Sequence, residues 1–182
     1  MENQNSFKWK HYQPEIILLT VRWYLRYNLS FRNLVEMMEE RGLSMAHTTI
    51  MRWVHQYGPD LDKRIRRHLK QTNDSWRVDE TYIKVKGQWM YLYRAVDSEG
   101  NPIDFYLSEL RDKQAAKRFE QDHRFIKKRV CSMLGLKSFR TATYILSGIE
   151  AMHMVKKDQP HQWEKSAQNE VEFIHKLFGV AA

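Results

Sequence analysis

The residue types that bear on chemistry fall in three places along the chain. Asp79 lies inside a run of strand-forming residues, Trp76 to Val85. A carboxylate there is disfavoured by propensity and costly to bury without a partner. Glu80 follows it, and neighbours on a strand point to opposite faces, so one of the two acids faces the covered side. A buried strand carboxylate serves as a metal ligand or general base; the plainer alternative is an edge acid paired with Arg77 or Lys84. Asp97, Glu99 and Asp104 are weaker candidates, the first two fitting turn roles. The second place is a polar stripe of Met45, Thr48, Arg52 and His55, opposite the apolar face of a helix when residues are spaced at about 100°. Thr48 and Arg52 suit base edges or phosphates. The third is Lys63, Arg64, Arg66, Arg67 and Lys70, five cations in eight residues. Such a run tracks phosphates or is simply a solvated helix face.

These groups need elements to hold them. Pro14 and Glu15 read as a helix start, and Asn28 and Ser30 break that helix near Tyr27. Ser30 caps a second helix carrying Phe31, Leu34, Val35 and Met38 at i, i+3, i+4 and i+7. Gly42 ends it as a left-handed cap. Ser44 is expected to cap a third helix with Ile50, Trp53, Val54 and Tyr57, closed by Gly58-Pro59. Two helices joined by a Gly-containing turn are the helix-turn-helix pattern, with a plain three-helix bundle as the alternative. Trp76–Val85, Trp89–Val96 and Ile103–Leu107, separated by Lys86-Gly87 and Asp97–Asn101, predict a three-stranded antiparallel meander. Beyond it, helical periodicity returns at Phe125–Leu134, at 138–157 and at 163–178, whose Met residues read as core filler.

Charge separates these regions. The 182 residues carry a net charge of +8, with 30 Lys and Arg against 22 Asp and Glu. Residues 1–72 hold 12 cations to 7 acids, 73–110 hold 4 to 7, and 111–140 hold 10 to 3. An acidic centre between basic flanks suits a protein that grips phosphates outside and holds metal ions inside. No apolar run reaches the ~18 residues of a membrane span. The single Cys131 excludes a disulfide framework, and the eight His show no zinc-ligand spacing. A cytoplasmic setting fits.

The run Ser75–Trp89, with Tyr91–Asp97, Glu120–Arg129 and Ser147–His153, resembles bacterial insertion-sequence transposases of the DDE kind, in the short single-frame group called insertion sequence family six. The N-terminal helices with Thr48–Val54 match as well, so the resemblance covers nearly everything up to about Lys157. It implies an RNase H-like fold, double-stranded DNA (element terminal repeats and target) as partner, a homodimer, and two divalent ions, magnesium or manganese. Such ions are held by carboxylates and drive in-line attack on a phosphodiester. By motif, Asp79 is the first carboxylate, Glu120 the last, and Lys127 the basic residue accompanying that Glu, about two helical turns on.

One part of the family pattern is missing. Arg111–Phe119 runs straight into Glu120, only 41 positions after Asp79, and no Asp between them sits in the context of the family's second Asp. The two helix patterns look fused at Phe119–Glu120, as if a strand–helix–strand block were deleted. The expectation is therefore an α+β chain: a helix-turn-helix domain and basic linker (1–72), a truncated RNase H-like domain (73–157) and a helical tail (158–182). The apolar faces of the remaining helices are expected to lose their cover, leaving exposed patches. The function expected is a transposase that binds element ends and recombines DNA, catalytically impaired. The alternatives are a DNA-binding remnant without catalysis and a relic that folds only in part.

Overall fold

The computed structural model describes residues 7, 11–69, 75–111, 136–157, 160 and 166–180. They form an α+β fold of five α-helices and one three-stranded antiparallel sheet. Glu120, Lys127 and the fused helix pattern at 119–120 lie outside the described residues, as does the helix expected at Phe125–Leu134.

Helix α1 spans Pro14–Arg26, with Pro at its first turn as expected. Helix α2, Phe31–Glu39, starts on a reciprocal cap: the Ser30 hydroxyl accepts from Asn33 N at 3.1 Å, and Ser30 N donates to Asn33 Oδ1 at 2.9 Å. Gly42 then takes φ +73°, the left-handed turn read from the sequence. Two details of α3, His47–Ile65, depart from expectation. Its cap residue is Ala46, whose methyl group makes no cap hydrogen bond, and not Ser44. Ser44 is engaged elsewhere, its carbonyl accepting from the Tyr12 hydroxyl at 2.8 Å. And α3 does not stop at Gly58-Pro59 but runs through them. An interior Pro costs about 3 kcal/mol. Continuing the helix buries Leu61 and Ile65 on the same stripe as Trp53, Val54 and Tyr57, and each such side chain returns about 1.5–3 kcal/mol. A short 3-10 turn, Arg66–His68, follows.

Strands β1 (Trp76–Val85), β2 (Gln88–Asp97) and β3 (Pro102–Ser108) pair in the order β1-β2-β3. Lys86 and Gly87, both at positive φ, make the two-residue hairpin turn whose twist matches the strands. In the next turn Asp97 Oδ1 accepts from Glu99 N at 2.9 Å and Asn101 N at 2.8 Å, the turn role read from the sequence. Leu136 bridges Val85 in parallel on the free edge of β1.

The sheet has two unlike faces. Asp79, Thr81, Ile83 and Val85 of β1 alternate inward with Met90, Leu92, Arg94 and Val96 of β2, and all are buried. On the other face Trp76, Trp89 and Tyr106 are 63%, 62% and 66% exposed among the described residues.

Helix α4, Phe139–Lys156, is buried on nearly all sides and packs along α3 and against β3. Its contact with α3 centres on two glycines. A Cβ on Gly58 would lie 2.8 Å from the Tyr144 carbonyl, and one on Gly148 would lie 3.0 Å from Gly58 Cα. Only glycine permits that approach. Helix α5, Ala167–Phe178, docks on α1 and α3. Its Glu170 accepts from Arg22 Nε at 2.7 Å and Arg26 Nε at 3.2 Å. One core cluster runs through α1–α5 and the sheet. No helix among the described residues is long and apolar enough to cross a membrane.

Candidate functional site

Asp79 takes the covered face of β1 and is 1% exposed, while Glu80 takes the other face. The parity argument therefore resolves in favour of Asp79. The carboxylate is set among guanidiniums. Arg77, two residues earlier on the same face, brings Nε to 3.8 Å from Asp79 Oδ1. Arg94 is the direct cross-strand partner of Asp79 in the β1–β2 register, and opposed residues on one face have Cβ atoms about 4.5–5.5 Å apart. On the far face Glu80 pairs with Arg111 at 3.3 Å, and hydrogen bonding to Glu80 raises the Tyr82 pKa.

Arg94 is itself clamped from α4. Its Nε lies 2.6 Å from Glu150 Oε1, and Nη2 donates to Oε2 at 3.1 Å, with both side chains almost fully buried. Burial pushes the Glu150 pKa up, and the Arg94 guanidinium opposes that shift. One turn on, His153 is pushed down to about 3, first by burial and then by the charge of Arg94. It is neutral at ordinary pH. The inner face thus holds a string of Arg77, Asp79, Arg94 and Glu150 in which charges alternate and cancel.

A divalent ion needs several oxygen ligands of net negative charge. Among the described residues no group of three His, Cys, Asp or Glu gathers to hold one. Among the described residues Asp79 supplies one carboxylate, beside Arg77 and across the ladder from Arg94, and by itself this does not fit magnesium or manganese. Asp97 and Glu99 are spent in the β2–β3 turn, and Asp104 in an ion pair with Arg66 at 2.9 Å.

The polar stripe of α3 is placed unevenly. Arg52 is exposed, Met45 is buried, and Thr48 and His55 are half-buried beside α4. Burial lowers the His55 pKa. The cation run divides as well. Arg64 pairs with Asp60 at 3.1 Å and donates to the Leu177 carbonyl at 2.7 Å, bracing α5. Arg66 pairs with Asp62 at 3.1 Å and Asp104 at 2.9 Å, tying α3 to β3. Lys63 and Arg67 are exposed.

Arg94, Glu150 and His153 were not singled out by sequence reasoning. The signal was present. Arg94 has the inward parity of Leu92 and Val96, and Glu150 interrupts the apolar run Ile145–Val155. A lone charge in each of two apolar segments marks partners in a buried pair.

Residues 73–120 and 117–159 match the DDE domain family of the IS240 transposase type. The match falls in two stretches that meet at 117–120. The chain is 44% identical over 115 residues to the transposase for insertion sequence-like element IS431mec of Staphylococcus aureus, covering 63% of this chain and 51% of that protein. It is 43% identical over 115 residues to the transposase for insertion sequence element IS257 in transposon Tn4003 of the same species. It is also 44% identical over 54 residues to the uncharacterised protein pYV0051 of Yersinia pseudotuberculosis. The chain spans about half the length of these curated relatives. No solved structure matches it significantly.

Proposed function

We propose, for a chain that belongs to the DDE transposases of bacterial insertion sequences, that it binds the ends of such an element through its helical half and lacks a working catalytic centre in the other. The observation that carries this reading is the two-stretch family match meeting at 117–120. That is where the sequence runs from the β3 side of the pattern straight into the Glu120 motif, with no second Asp between.

The surroundings of Asp79 support the same conclusion. In the family pattern Asp79 and Glu120 are the first and last metal-binding carboxylates, and Lys127 stands beside them to hold a phosphate. Without the middle acid, two carboxylates do not fix two ions in the in-line geometry that phosphodiester attack needs. The meander and the parallel pairing of Leu136 with β1 support an RNase H-like ancestry for the sheet. For DNA, the support is the net charge of +8 and the exposed Arg52, Lys63 and Arg67. The α2–turn–α3 order carries the helix-turn-helix reading, and double-stranded terminal repeats are its natural ligand. A dimer would bring two ends together.

The test is one gel. Purified protein is mixed with labelled duplex carrying the element ends that flank its gene, with magnesium or manganese, beside Asp79→Asn and Arg52→Ala variants. The expected result is retarded, uncut DNA, weakened by Arg52→Ala and indifferent to Asp79→Asn. Metal-dependent nicking that Asp79→Asn abolishes would overturn the catalytic half of the proposal. Free DNA at every concentration would overturn the binding half.

A further inference from the structure

A cavity of about 380 Å³ opens between the start of α2, the first half of α3 and the first turns of α4. Its size falls in the ~300–1,000 Å³ range of small-ligand sites. Phe31 and Ile145 line its floor, and Tyr24 stacks on Phe31 with ring centroids 4.1 Å apart and planes 5° from parallel. Arg32 and Lys137, both exposed, stand at its rim, and among the described residues no Asp or Glu lines it. A flat aromatic floor under a cationic rim is complementary to a base carrying phosphates.

Thr48 and His55, which share with Arg52 the stripe expected to face a major groove, line this cavity instead. The geometry of α3 and α4 explains why they cannot do both. Their stripe continues to Gly58, where the two helices touch backbone to backbone. A B-form major groove is about 12 Å wide and takes one helix, itself about 10–12 Å across with side chains. With α4 seated alongside, a duplex cannot reach the Thr48–His55 stripe, whereas a single nucleotide can. Arg52, on the open side of α3, remains available to the duplex. His55 is neutral at ordinary pH, so its ring offers one donor and one acceptor to a base edge.

We propose that this cavity takes one unpaired nucleotide of a DNA strand, its base on the Phe31 floor and its phosphates between Arg32 and Lys137. This rests on the DNA-binding reading above and adds a strand-end specificity to it.

The experiment compares two fluorescent duplexes of the same element-end sequence bound to the full chain. One is blunt; the other carries an unpaired overhang with 2-aminopurine at its first position. Base stacking on a protein aromatic contributes about 1–3 kcal/mol, so the overhang should bind roughly 5- to 150-fold more tightly, with its fluorescence quenched. Met51→Trp, which fills the cavity, should erase that difference, and Arg32→Gln, at the exposed rim, should reduce it, while blunt-duplex affinity stays within about twofold. Arg52→Ala should weaken both. Thermal melts check that each variant folds, and Arg32→Gln keeps the test valid should Met51→Trp fail to. Equal binding of the two duplexes by the wild type refutes the cavity assignment alone. So does a loss of blunt binding in Arg32→Gln as large as the loss for the overhang. Binding of neither duplex refutes the DNA-binding reading and this site with it.

Discussion

Glu150→Gln is the sharpest probe of how the two halves of the chain are joined. The substitution keeps the side chain's shape and removes its charge. Arg94 is 3% exposed and Glu150 1%, and they meet through contacts of 2.6 Å and 3.1 Å. Removing one member of such a pair leaves the other charge buried, which costs about 3–5 kcal/mol. For a chain of this length each kcal/mol lowers Tm by roughly 2–4 °C, so the melt should fall by about 6–20 °C. Urea unfolding monitored by tryptophan fluorescence measures the same loss directly. A second variant separates charge from packing. Replacing both partners with apolar side chains, Arg94→Met with Glu150→Leu, should recover part of the loss, because buried pairs exchanged for packed apolar groups are often neutral or better, while Asp79 gives up its cross-strand guanidinium. A Glu150→Gln cost below about 1 kcal/mol would refute the reasoning. It would mean either that the carboxyl is already protonated, burial having outweighed Arg94, or that water reaches the inner face of the sheet.

Two further predictions concern the same helix and its contact with α3. His153 is neutral in the fold, with its pKa pushed down to about 3 against 6.5 for a free side chain. The unfolded chain therefore binds the extra proton first, and stability falls as pH drops from about 6.5 toward 3, with a slope approaching 1.4 kcal/mol per unit; His153→Gln should flatten the urea-midpoint profile over that window. Gly58→Ala gains about 1 kcal/mol of helix propensity. Its Cβ meets the Tyr144 carbonyl at 2.8 Å, a backbone atom that moves only if α3 and α4 part. A net loss of about 1–2 kcal/mol in thermal unfolding is expected, and an unchanged or raised Tm would show that the helices do not touch there.

Local chemistry was legible in the sequence wherever a residue's own conformation decided the outcome. Ser30 and Gly42 fixed the limits of α2, and Lys86-Gly87 set the β1–β2 hairpin. Alternation around Asp79 foretold that one of two adjacent acids is buried. What escaped notice depends on partners far along the chain. Pro59 looked like a terminator because its local cost is visible, whereas the burial of Leu61 and Ile65 is visible only once α3 is packed. The Arg94–Glu150 pair spans 56 residues, and no spacing rule links its members. The side of α3 that reads as solvent-facing by periodicity is half-covered by α4, since the helical wheel of one helix says nothing about a second partner. For the same reason Arg64 and Arg66, read as part of a phosphate-tracking run, serve as internal braces to α5 and β3.

Helix α4 belongs to the second stretch of the DDE match, yet its neighbours are drawn from both halves of the chain. Through Glu150 it closes the inner face of the sheet over Asp79, and through Gly148 it seats on α3 of the helical half. It meets the sheet at β3 and at Arg94 of β2, and the inner face of the described strands is buried from Asp79 to Val85 and from Met90 to Val96. The same seating has a functional consequence. It draws Thr48 and His55 off the open surface and leaves Arg52 as the outward cation of that stripe. The helix that pairs with Arg94, across the sheet from Asp79, therefore also decides which side chains of α3 stay on the open surface. Weakening the α3–α4 contact should alter DNA recognition and stability together, although no residue changed at that contact faces the DNA.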